Sequence, residues 1–88
     1  AMTDAEIKQT MAQVLGRIAP EADLDAVGPD DNLRQALDLD SMDFLHFLVG
    51  LHDALGVDIP EADYGRLTTT ARIVTYIQEA TQERTAKE

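Results

Sequence analysis

The chain has no cysteine and no tryptophan among its 88 residues, and serine occurs once, at Ser41. Without cysteine it can form neither disulfides nor thiolate metal sites, so any thiol chemistry must be brought in from outside. No apolar run approaches the roughly 18 residues of a membrane span, and the N-terminus lacks the basic and apolar regions of a signal peptide. A cytoplasmic protein with no membrane insertion is expected. Basic residues are also scarce: seven Lys and Arg face seventeen Asp and Glu, for a formal charge of -10. That balance repels nucleic acid and anionic membranes and favours partners with basic patches. What is present is ample apolar matter, 44% of the residues, which argues against a disordered acidic tail.

A chain of this length forms one domain that buries about 60 to 65% of its unfolded surface, enough for one core and no deep second cleft. Ala1 before Met2 reads as a cloning remnant, which leaves 3–81 as the domain and 82–88 as a polar, frayed tail. Ile7, Met11, Val14, Leu15 and Ile18 recur at helical spacing after a Thr3-to-Glu6 capping-box pattern, and Pro20 ends this first helix. A long Asp-rich loop follows to Asp40, with a turn at Gly28-Pro29 and Leu24, Val27, Leu33 and Leu37 to pin it to the core. A short helical turn is expected near Leu33 to Leu37.

The second helix is expected from Ser41 to Leu55, stopped by Gly56. Its polar arc holds Asp43, His46, Gly50 and Asp53, while Phe44, Phe47, Leu48, Leu51 and Leu55 supply a core face. Met42, Leu45 and Val49 cluster at one edge beside His46. They form either an exposed apolar contact surface or an overfilled core. Val57-Asp58-Ile59-Pro60 reads as an extended connector, Glu61 to Arg66 as one or two helical turns, and Thr68 to Thr70 as the cap of a last helix with Ile73, Val74 and Ile77 inside. No strand pattern or repeat interrupts the series. The expected fold is all-α, a small four-helix bundle with three longer helices and a short third.

Chemistry-bearing motifs are few. Asp23 to Gly28 imitates the start of an EF-hand loop, but Val27 stands at the fifth position and Arg34 at the twelfth, where a bidentate glutamate is needed. His46 and His52 are six apart and diverge by about 120° on a helix, unlike a zinc-binding pair. No metal site and no catalytic residue is assigned. Ser41 lies more than a turn from His46, with no glycine-rich elbow around it, so serine hydrolase chemistry is not supported. Tyr64 and Tyr76 read as half-buried packing residues with wet hydroxyls.

Ser41 itself stands where a polar loop turns into an apolar periodic segment. At a helix start, unpaired backbone N–H groups and the helix dipole favour an attached phosphate, and the same position also suits an ordinary helix cap. The two roles divide if Asp40 caps, with Asp43 three residues on, and Ser41 takes the first helical position with its oxygen free.

Asp40-Ser41-Met42, the apolar helix after it, Val57-Asp58-Ile59-Pro60 and Thr68-Thr69-Thr70 before a closing helix together resemble the acyl carrier protein family over nearly the whole chain. The resemblance implies a non-enzymatic, monomeric carrier that holds acyl intermediates as thioesters on 4'-phosphopantetheine attached to Ser41. It implies a phosphopantetheinyl transferase and acyl-loading and acyl-processing enzymes with basic patches as partners. Asp40, Met42, Asp43, Leu45, His46 and Val49 fall on the matching partner-binding surface. The helical bundle also implies an apolar interior for the acyl chain, more crowded here by Phe44 and Phe47.

Family members usually carry glycine two or three residues before the serine, where Asp38 and Leu39 stand here, implying a different loop conformation. An acidic residue is common at the position of His46. These departures suit a specialised carrier in polyketide, lipid or aminoacyl transfer better than housekeeping fatty acid synthesis. An aminoacyl or peptidyl carrier, and a small acidic adaptor that carries nothing, are the alternatives.

Overall fold

Thr3 starts the first helix by accepting a hydrogen bond from Glu6 N while Glu6 Oε1 accepts one from Thr3 N, so two of the N–H groups that a helix start leaves unpaired are satisfied. Helix α1 runs over Asp4–Ile18 and buries Ile7, Met11, Val14 and Leu15. In the computed structural model, which describes the backbone of residues 2–87 and the side chains of residues 2–82, four α-helices are joined by loops and two 3-10 segments. They are α1, the one-turn α2 (Leu33–Ala36), α3 (Ser41–Leu55) and α4 (Thr70–Lys87). The 3-10 segments are Leu24–Ala26 and Glu61–Arg66. Among the described residues there is no β-strand, only an isolated bridge between Asn32 and Thr69.

One apolar cluster holds the helices together. Its centre is Phe47, Ile7, Met11, Leu15, Leu33, Leu48, Leu51, Leu67, Ile73 and Ile77, all under 2% exposed or close to it. The long loop is anchored as its sequence suggests, with Leu33 buried and Leu24, Val27 and Leu37 packed against the cluster. Two backbone bonds also clip it to the start of α4: Leu33 N donates to Thr68 O at 2.9 Å and Ala71 N to Pro29 O at 3.0 Å. Thr69 then caps α4 by accepting from Arg72 N.

Helix α3 ends at Gly56, whose φ of 65° is the left-handed conformation that glycine adopts without a steric penalty. His52 fixes the exit: its Nδ1–H donates to Val57 O across 2.7 Å. Val57 and Ile59 of the extended connector are buried while Asp58 and Pro60 face solvent, the period-two alternation of an extended chain.

Two details differ from the expected picture. Gly50 is not a solvent-facing member of the polar arc. It is half-buried where α3 crosses α1, and a Cβ built there would lie 2.6 Å from Val14 Cγ1, so glycine is what permits the close approach. The Tyr76 hydroxyl is not simply wet, because it donates to Asp63 Oδ2 at 2.7 Å and ties α4 to the Glu61–Arg66 segment. The frayed tail expected over 82–88 falls largely outside the described residues, which give α4 in backbone to Lys87 and no side chains beyond residue 82.

Candidate functional site

The approach to α3 is built by Asp38, Leu39 and Asp40. Leu39 is buried and its N–H donates to Arg34 O at 2.8 Å, which ties the loop to α2. Asp38 has φ 54°, a left-handed backbone that costs an ordinary L-residue about 1–2 kcal/mol and that Asp tolerates better than most. Asp38 therefore meets the absence of glycine by taking up the conformation glycine would favour. The path of the loop does not avoid the left-handed region.

Asp40 caps α3. Its Oδ1 accepts from Asp43 N at 2.8 Å, its carbonyl accepts from Phe44 N, and Asp43 Oδ2 accepts in return from Asp40 N at 3.4 Å. Capping is thus assigned to the aspartates. Ser41, at the first helical position, is exposed, and among the described residues its hydroxyl makes no hydrogen bond. Its own N–H and that of Met42 are likewise without protein partners, leaving two donors and the positive end of the helix dipole beside Oγ. No imidazole activates this oxygen: His52 is bonded to Val57 O, and His46 makes no bond to Ser41. The site is suited to bearing an anionic group rather than to attacking a substrate.

Along the next three turns of the same helix, Met42, Leu45 and Val49 are 56%, 37% and 43% exposed, the large apolar side chains that α3 leaves in solvent. His46 is exposed among them, and Asp43 is half-buried by its capping bonds. Of the two arrangements open to this edge, the structure has the exposed face. Behind it Phe44 and Phe47 point inward, their ring centroids 6.2 Å apart in a tilted pair.

Sequence reasoning gave no role to Arg34, which the structure places beside the approach to Ser41. A recess of about 250 Å³ is lined by Asn32, Arg34, Phe44, Tyr64, Gly65 and Thr68. Another, lined by Asn32, Arg34, Gln35, Asp38 and Leu39, shares its first two residues. A signal was present in the chain, because Arg34 is the only Lys or Arg between Arg17 and Arg66.

Residues 5–77 match the family described as "Phosphopantetheine attachment site". Fold and match together define a carrier of a covalently attached group. The acyl carrier protein of Lactobacillus johnsonii is 34% identical over 77 residues, covering 88% of this chain and 95% of its own. The meromycolate extension acyl carrier protein of Mycobacterium leprae is 30% identical over 83 residues, covering 94% of this chain and 71% of its own. A solved structure of the acyl carrier protein from Enterococcus faecalis has a TM-score of 0.68 at 27% identity and covers 90% of this chain and 99% of that one. The chain belongs to the acyl carrier protein family. Its role is to carry acyl groups on covalently bound 4'-phosphopantetheine, and the family consists of carriers that do not catalyse the reactions of their cargo.

Proposed function

We propose that Ser41 is the attachment residue and that the chain serves partner enzymes of a specialised polyketide or lipid pathway in the cytoplasm. One observation carries the assignment of the residue. Ser41 is the only serine in the matched region, and its hydroxyl is exposed and unbonded while the neighbouring aspartates do the capping. The attached group supplies the thiol that this cysteine-free chain lacks. Asp40 and Asp43 hold the helix start rigid, and the N–H groups of Ser41 and Met42 face the position a phosphodiester on Oγ would take.

Met42, Leu45 and Val49 with His46 form the surface offered to the phosphopantetheinyl transferase and to acyl-loading and acyl-processing enzymes, and Asp40 and Asp43 supply charge for their basic patches. A tethered cargo reaches each of these partners at high effective concentration. The replacement of an acidic residue by His46 and the exposed apolar triplet shift recognition toward apolar contact, which favours the specialised setting.

Incubation with coenzyme A and a phosphopantetheinyl transferase tests the assignment by intact mass. Wild type gains one phosphopantetheine and Ser41→Ala gains none. A wild type that stays unmodified with several active transferases would leave only the non-carrying adaptor.

A further inference from the structure

Charge sets the recess lined by Arg34, Phe44 and Tyr64 apart from three others on this surface. Seventeen of 88 residues are acidic, yet its walls contain no carboxylate. Those three include Asp23 and Asp25, Asp38, or Glu79. The guanidinium of Arg34 is also uncommitted, with no carboxylate within 4.0 Å among the described residues. Asp38 lines the adjoining recess that Arg34 also borders, but it makes no ion pair with Arg34, and on a chain of charge -10 an unpaired cation is a local reversal of the prevailing field.

The location connects this recess to the arm. Phe44 lies three residues after Ser41, hence on the same side of α3 and about 4.5 Å along it. The backbone of Arg34 is bonded to Leu39, two residues before Ser41. One wall of the recess therefore follows the attachment point and another is tied to the segment that precedes it. A phosphodiester is held at Oγ itself, where the α3 N–H groups already serve it, so the part of the arm free to enter the recess is its cargo end. Phe44 and Tyr64 give an apolar passage, and Arg34, Asn32 and Thr68 give polar ends.

The recess is also small: at about 250 Å³ it falls below the usual range of ligand pockets. Behind it the interior is filled by the Phe44–Phe47 pair, with Phe47 fully buried. A long alkyl chain would have to displace those rings.

Given attachment at Ser41, we infer that the cargo is a short acyl group ending in a carboxylate, held with its anion on Arg34 and its methylenes between Phe44 and Tyr64. Arg34 is a positioning residue that selects and shields this cargo. A transferase can load the chain from the coenzyme A thioesters of glutarate and of pentanoate, five-carbon groups that differ at the far end by the carboxylate. The glutaryl form shifts the Arg34 Nε–Hε resonance and the ring resonances of Phe44 and Tyr64, and its thioester is cleaved by hydroxylamine about five-fold more slowly than the pentanoyl form, the size an exposed ion pair supports. Arg34→Gln abolishes both differences, and Arg72→Gln, which does not line the recess, retains them. Equal shifts in the unacylated holo-protein would assign Arg34 to the phosphodiester, and equal protection of the pentanoyl form would make the recess merely apolar. Either result overturns the inference while leaving Ser41 in place. A chain that gains no mass from either thioester overturns the attachment site itself.

Discussion

Asp38 holds a left-handed backbone with a side chain that gains little from it: Asp38 is exposed, and its carboxylate makes no bond among the described residues. Glycine there would remove about 1–2 kcal/mol of steric cost and give back about 0.4–1 kcal/mol through a more flexible unfolded chain. Asp38→Gly is expected to raise stability by up to about 1 kcal/mol, and Asp38→Val to lower it; chemical denaturation that ranked them oppositely would contradict the strain. Tyr76 shows the opposite economy, with a side chain firmly committed. Burial first, and then the hydrogen bond to the Asp63 carboxylate, push its phenol from 10.0 up to about 12. The folded protein holds this proton more tightly than the unfolded chain, so the contact stabilises below pH 10 and its contribution is lost as pH rises toward about 12. An absorbance titration should show one late phenolate that disappears in Tyr76→Phe. Both features were invisible in the sequence for the same reason. Each depends on where a distant or neighbouring backbone segment arrives, and local pattern does not report that.

Helices α1 and α3 approach closely because Gly50 has no Cβ to meet Val14. Gly16, in the last turn of α1, has open space where its Cβ would be. One substitution should therefore act with opposite signs at the two positions. Gly16→Ala is expected to stabilise by about 0.5–1 kcal/mol through helix propensity, whereas Gly50→Ala costs about 1–3 kcal/mol by overpacking and is rescued in part by Val14→Ala. Thermal melts of the four proteins would check this, and a stabilised Gly50→Ala would remove the packing argument. The ends of α1 and α3 were legible because capping is written locally: Thr3 with Glu6, Asp40 with Asp43, and Gly56. The exposed edge of Met42, Leu45 and Val49 was half legible. Periodicity located the three residues on one side, but only the packing of α1 against α3 decides which side is covered. The recess at Arg34 was not legible, since its walls come from the loop, α3 and the 3-10 segment together.

At the scale of the whole molecule, the proposed function divides the work of recognition between the acidic surface and the apolar edge of α3. Charge of -10 would steer a basic partner from a distance, and the apolar contact would be made after arrival. Screening acts on the first step only. Raising salt from low ionic strength to about 1 M, where the Debye length falls to about 3 Å, should lower the second-order rate of modification by the transferase about ten-fold. A rate indifferent to salt would assign recognition to the apolar edge alone. The two clips from the long loop to the start of α4 have a consequence in time as well as in shape. Leu33 N–H and Ala71 N–H are bonded across the molecule, so their amide protons should exchange with solvent as a pair, released by one opening that undocks the C-terminal helix. On the proposed assignment of Ser41, the same opening would loosen the segment that leads to the acceptor hydroxyl, so the transferase would modify a chain folded from end to end faster than an opened one.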